Sequence, residues 1–195
     1  MGKIFCLMGK SASGKDTLYR RLLEREDLAL SVIVPWTTRP IREGEEEGRE
    51  YYFATQERFK ELKESQKVVE SRVYHTVHGD WYYFTVDDEG IELSQKDYLI
   101  IGTLQSYNSI REYYGRDRVI GLYVTLDDGE RLERALKRER SQKEPKYKEM
   151  CRRFLADQED FSEEKLAEAG IERCFVNDDL ERCLDELSET ILSYR

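Results

Sequence analysis

Seven residues, Gly9-Lys10-Ser11-Ala12-Ser13-Gly14-Lys15, constrain this chain more than anything else in its sequence. They fit the spacing G-x-x-x-x-G-K. A short strand at residues 3–8, apolar from Ile4 on, precedes them, and a segment at 15–25 with Leu18, Leu22 and Leu23 at helical spacing follows. A strand feeding such a loop into a helix brings backbone N–H groups and the positive end of the helix to one point. Gly9, Lys10, Ser11, Ala12, Ser13, Gly14, Lys15, Asp16 and Thr17 are therefore the expected polyphosphate-binding residues, with Lys15 reaching β- and γ-phosphates as a mobile point charge. A Ser or Thr hydroxyl ordinarily follows the lysine and touches Mg²⁺. Here that place is Asp16, with Thr17 next. A carboxylate is a stronger ligand for a hard cation than a hydroxyl, so Asp16 is the expected metal ligand.

Strands and helices alternate along most of the remaining sequence. Residues 32–34 read as a second strand closed by Pro35, and residues 37–50 as a polar loop or small lobe. A helix at 55–64 begins at a Thr55 cap. Residues 67–74 and 81–86 read as strands, with Gly79-Asp80 in the turn between them. Strands at 98–103, 119–126 and 173–176 alternate with helices at 105–114, 128–141 and 145–169. Leu180, Leu184, Leu187 and Ile191 mark a terminal helix begun by Asp178 or Asp179. The expected fold is α/β, a P-loop NTPase three-layer core with a parallel sheet, an inserted small α/β lobe and a helical basic lid. One domain is expected over 1–195. Its core covers about 1–34 and 97–195, the lobe about 35–96, and the lid about 131–153.

Charge narrows the partners. The net charge of −9 argues against general nucleic-acid binding. Yet residues 131–153 hold ten Lys or Arg against four Glu, a basic island suited either to a solvated helix face or to a sleeve for polyphosphate. No apolar run approaches the ~20 residues of a membrane helix, so no membrane partner is expected. Cys6, Cys174 and Cys183 fall within apolar patterns. They read as buried thiols in a reducing cytoplasm. His75 and His78 lack an acid or Cys at ligand spacing, which disfavours zinc. A monomer or homodimer is expected.

Thr37-Thr38-Arg39-Pro40-Ile41-Arg42-Glu43-Gly44-Glu45, then Gly48 and Tyr51-Tyr52-Phe53, resembles the acceptor-binding stretch of guanylate kinases. Val69-Glu70, the segment Gly79 to Thr85, and Val176-Asn177-Asp178-Asp179-Leu180 are also similar to that family, in the same order along the chain. The resemblance implies transfer of the γ-phosphoryl group of ATP to GMP, with Mg²⁺. It implies that Arg39, Arg42 and Tyr51 clamp the GMP phosphate, a role suited to two guanidinium forks and a phenol. Tyr83, or its neighbour Tyr82, would add a hydroxyl, and Thr85 would join the substrate site. Glu70 would accept from guanine N1 and N2. Arg134 and Arg138 match the lid arginines of the family, and Arg153 their counterpart on the next helix. With Lys15 and Arg39 they form the expected catalytic set. A structural role for Arg39 and Arg42, pairing with the acids at 43–47, stands beside this reading.

The sequence also departs from the family. A strand end that there reads Asp-x-Asp is here Ile101-Gly102-Thr103, and Pro35 stands where a small hydroxyl residue usually touches the base. Thr103 can still accept a hydrogen bond. The acid absent at Ile101 is expected to be replaced by the one gained at Asp16. A Gly-Lys-Asp loop and an Ile-Gly-Thr strand end also resemble ribose 1,5-bisphosphate phosphokinases, which provide an alternative acceptor. Guanylate-kinase-like modules that bind phosphorylated peptides are a second alternative, although they have no need of Lys15 or the lid arginines.

Overall fold

Side-chain alternation along the first strand, β1 (Ile4–Gly9), sets the architecture. Ile4, Cys6 and Met8 point to one face and Phe5 and Leu7 to the other, and all five are fully buried. A strand covered on both sides needs no polar face, which is why this run reads as unbroken hydrophobicity. The computed structural model describes residues 2–42, 44–76, 79–87 and 91–195. In it β1 is the middle strand of a five-stranded parallel sheet with β2 (Leu30–Val32), β7 (Asp97–Ile101), β8 (Val119–Thr125) and β9 (Cys174–Val176), in the order β2-β7-β1-β8-β9. Leu18 and Leu22 of α1 (Lys15–Leu23) pack on one face with Leu184, Leu187 and Ile191 of α7 (Leu180–Ser193). Leu104, Tyr107 and Ile110 of α3 (Leu104–Tyr114) pack on the other. Helices thus cover both faces, giving the expected α/β class.

A second sheet, in the order β4-β3-β6-β5, interrupts the alternation. Its strands are β3 (Trp36–Thr37), β4 (Tyr52–Phe53), β5 (Val68–Thr76) and β6 (Gly79–Val86). Phe59 and Leu62 of α2 (Gln56–Glu64) pack on Phe84 and Val86, and the Thr55 hydroxyl caps α2 by accepting from the Arg58 N–H. Opposite residues of the antiparallel pair β5 and β6 share a face, so Glu70 stands beside Thr85 and Arg72 beside Tyr83.

Several expectations need correction. The helix expected at 145–169 is two, α5 (Tyr147–Asp160) and α6 (Glu163–Glu168). Phe161 turns inward to stack on Tyr123, ring centroids 5.4 Å apart, and the Ser162 side chain then caps a new helix. Gly79 and Asp80 are not the hairpin turn but belong to β6, paired with Thr76 and His75. The second strand lies at Leu30–Val32 rather than 32–34, where β7 offers it partners. Cys174 is exposed. It lies on an edge strand, where only Phe175 turns into the core. Of the two candidate caps, Asp179 begins α7. His75 Nδ1 lies 2.7 Å from Asp80. Glu43 and His78 lie outside the described residues. No helix among the described residues is long and apolar enough to cross a membrane.

Candidate active site

The loop after β1 is tightly folded. Gly14 has φ +86°, and a Cβ there would lie 2.2 Å from Asn177 Nδ2, which donates to the Ser13 carbonyl at 2.7 Å. A Cβ on Gly9 would strike the Val124 carbonyl at 2.5 Å. Ala12 also has positive φ, and Ser13 is fully buried with its hydroxyl lacking any partner. The Lys15 ammonium lies 3.1 Å from Asp16, whose carboxylate is 73% exposed in the first turn of α1. Thr17 follows, its N–H bonded to the Gly14 carbonyl.

A second layer of contacts fixes the loop to α4 (Asp128–Arg140) and α5. The Ser11 N–H donates to Asp157 at 2.7 Å, and Lys10 donates to Gln158, which in turn donates to Asp128. Arg131 joins them: its side chain is fully buried, donating to the Ser11 carbonyl at 3.1 Å and pairing with Asp128 and Asp157. In sequence Arg131 was one cation of the basic island. In the fold it is an anchor, and solvent does not reach it. Arg134, one turn on, donates to the Asn177 carbonyl at 3.2 Å, which puts its guanidinium beside Gly14. Arg138 is exposed, and Arg153 is held by Glu149 at 3.1 Å. Among the described residues neither touches the loop through a hydrogen bond or ion pair.

Beside the small sheet lies a cluster of the expected acceptor residues. Arg39 is 3% exposed, its fork gripping both Glu45 oxygens at 2.5 and 2.7 Å. Its guanidinium lies over Tyr51 and Phe53, at 5.0 and 5.5 Å from the ring centroids. The Tyr83 ring meets Tyr51 edge-on at 5.6 Å. Of the two tyrosines considered, Tyr83 thus joins the cluster, whereas Tyr82 stacks on Phe59. Burial pushes the Tyr51 phenol up. Arg42 is exposed, and its backbone N–H donates to Glu45. The structural reading of Arg39 is therefore realised at Glu45, yet its Nε–H remains buried without an acceptor.

The Arg39 fork holds the Glu45 carboxyl down to about 2. A carboxylate whose pKa is depressed on folding stabilises the fold above its unfolded value of about 4.3, and that contribution is lost as pH falls toward the folded value. Wild-type protein should therefore lose thermal stability between about pH 4.5 and 2 more steeply than Glu45→Gln. Thermal midpoints measured across that range check this, and parallel curves would refute it.

On the sheet face of Tyr83, Glu70 is 7% exposed and accepts from the Thr85 hydroxyl at 3.0 Å. Arg72, two residues along the strand, places Nε 3.2 Å from the other Glu70 oxygen and donates to Thr103 Oγ1 at 3.3 Å. Thr103 also caps α3 by accepting from the Ser106 N–H, so its hydroxyl supports Arg72 and the helix together. Ile101 pairs with Leu7 in the core sheet. Sequence reasoning missed Arg72, Glu45 as the one acid selected, and the Arg131 anchor. Period two from Glu70 would have placed Arg72 on the same face.

Four buried side-chain polar atoms among the described residues lack a partner: Ser13 Oγ, Arg39 Nε, Arg72 Nε and Arg111 Nε. Native interiors rarely leave such groups unpaired. Three of the four belong to the residues just described. The sequence model of the guanylate kinase family, "Guanylate kinase", matches residues 1–194. The chain belongs to the guanylate kinase family. A guanylate kinase from Porphyromonas gingivalis is 29% identical, the match covering 100% of this chain and 98% of the relative. One from Bacteroides thetaiotaomicron is 31% identical over 99% of this chain and 90% of its own length. Among solved structures, the guanylate kinase of Anaplasma phagocytophilum superposes with a TM-score of 0.68 at 21% identity, covering 98% of this chain and 85% of its own, a likeness of fold.

Proposed function

We propose that the chain transfers the γ-phosphoryl group of ATP to GMP. One observation supports this reading above the rest: a buried acid, Glu70, lies on the sheet face of Tyr83, and Tyr83 packs on Tyr51, over which stands a buried arginine, Arg39, whose Nε–H has no acceptor. An acid accepts from the N1 and N2 donors of guanine, and an unsatisfied guanidinium edge flanked by phenols receives a dianionic phosphate. Family membership points the same way.

In this reading residues 35–96 form the acceptor lobe and 131–153 the lid, around the core of a single domain. Gly9 to Thr17 cradle the ATP phosphates, and Lys15 follows the charge that develops on the transferred group. Arg39, Arg42, Tyr51 and Tyr83 hold the GMP phosphate in line, and Glu70, Thr85 and Thr103 line the base pocket. Arg134 stands at the loop, while Arg138 and Arg153 reach the phosphates on lid closure, Arg153 after release from Glu149. Little covalent work falls to the protein, because alignment and cations supply the rate. Mg²⁺ fits at Asp16. An ion held by one exposed carboxylate and by phosphate oxygens needs no cluster of acids, and bound there it would neutralise the phosphates. Asp16→Ala should then lower Mg²⁺-dependent turnover on the order of 10²-fold while leaving ATP binding without Mg²⁺ within about threefold. Turnover equal to wild type would defeat the assignment.

The burial of Cys6 and Cys183 raises each thiol to about 12, so both remain inert thiols, as suits a cytoplasmic enzyme of purine nucleotide metabolism. A coupled ADP-release assay against GMP, dGMP, AMP, UMP and ribose 1,5-bisphosphate tests the function. GMP should turn over and AMP and UMP hardly at all. Activity confined to the sugar bisphosphate would overturn the acceptor and leave the fold untouched.

A further inference from the structure

Arg72 stands between the two ends of the acceptor cluster. On its sheet face Glu70 and Thr85 lie on one side, and Tyr83, with Tyr51 packed on it, on the other. Its Nη2 donates to Glu70 Oε1 at 3.5 Å and its Nη1 to Thr103 at 3.3 Å. The Nε–H, although buried, is not aimed at an acceptor. Both hydrogen bonds are long for charge-assisted ones, and Nε meets the other Glu70 oxygen only as an ion pair at 3.2 Å, so the guanidinium is held by the Glu70 charge with its Nε–H unsatisfied.

The neighbouring groups narrow what it can do. The single hydroxyl hydrogen of Thr85 is donated to Glu70 and cannot serve a ligand at the same time. Glu70, once ionised, only accepts. An acceptor atom on a base bound beside Glu70 then finds the Arg72 guanidinium as the adjacent charged donor. A guanine ring carries two donors, N1 and N2, next to two acceptors, O6 and N7. A carboxylate adjoining an arginine presents the complement of that pattern, and arginine pairs with O6 and N7 wherever guanine is read from that edge. Adenine puts an amino group where O6 would be, setting donor against donor.

We propose that Arg72 is a specificity-determining residue of the acceptor pocket, donating to guanine O6 and N7 while Glu70 accepts from N1 and N2. This rests on GMP being the acceptor. Steady-state kinetics with GMP, 7-deaza-GMP and AMP on the wild type, Arg72→Ala and Arg72→Lys test it. Wild type should use 7-deaza-GMP about tenfold or more less efficiently than GMP, because one charge-assisted bond is missing. Arg72→Ala should raise the KM for GMP roughly 10- to 100-fold with a smaller change in kcat, and should no longer distinguish the two guanines. Arg72→Lys should recover part of the KM but not the full distinction, since an ammonium has no planar fork. Equal use of GMP and 7-deaza-GMP by wild type overturns the proposal without any variant having to fold. So does an N7 penalty that survives in Arg72→Ala, which would mean Arg72 acts only through Glu70. Better use of GMP by Arg72→Ala would show competition for Glu70 and overturn it too. Failure of wild type to turn over GMP at all is a separate result and refutes the acceptor itself.

Discussion

Lys15→Ala is expected to bind GMP as wild type does and to transfer phosphate on the order of 10²- to 10³-fold more slowly, the usual effect of deleting one preorganised donor at developing charge. The ammonium sits at the mouth of the loop, 23% exposed and 3.1 Å from Asp16, so no buried partner is orphaned by its loss and the fold is preserved. Lys15→Arg should not restore the rate, because a planar fork cannot follow the phosphate as a compact charge does. Single-turnover kinetics at saturating ATP separate the chemical step from binding. A transfer rate within about threefold of wild type would remove Lys15 from the reaction and the loop from its proposed role.

Glu70→Gln should lower kcat/KM for GMP on the order of 10²- to 10⁴-fold, from two hydrogen bonds to a charged group of about 1.5–3 kcal/mol each. Glutamine offers one carbonyl where the carboxylate offers two oxygens, and its amide N–H₂ would face the guanine donors. The same change removes the anion beside Arg72, whose Nε lies 3.2 Å from it, so part of the loss is a half-buried charge deprived of its partner. Thermal unfolding of the ligand-free variant isolates that part. The GMP preference over AMP isolates the rest, and should shrink. If Glu70→Gln kept that preference intact, guanine would be read elsewhere.

The cradle was legible because its chemistry is local. G-x-x-x-x-G-K between an apolar run and a leucine-spaced helix specifies one short stretch of backbone, and Gly14 adopts the positive φ that such a loop demands. The parallel sheet was legible for a similar reason: strands buried on both faces leave uninterrupted apolar runs, and β1, β7 and β8 all do. Arg39, Tyr51 and Glu70 were singled out through resemblance, since nothing local distinguishes an arginine that becomes buried from a solvated one.

Which polar side chains become buried, and against what, was decided by tertiary structure. The sequence offered several acids after Arg39, and the fold selected Glu45, the one whose two oxygens meet the guanidinium fork. It offered ten cations between 131 and 153. The packing of α4 and α5 buried Arg131 alone of the arginines there, under the loop after β1, and left Arg138 in solvent. Arg72 met Thr103 only because a hairpin 31 residues away in sequence folds over the end of β7. Periodicity fixes the face a residue occupies, and composition fixes the charge a chain carries. The partner of a buried charge depends on contacts between distant segments, and those exist only once the chain has closed around them.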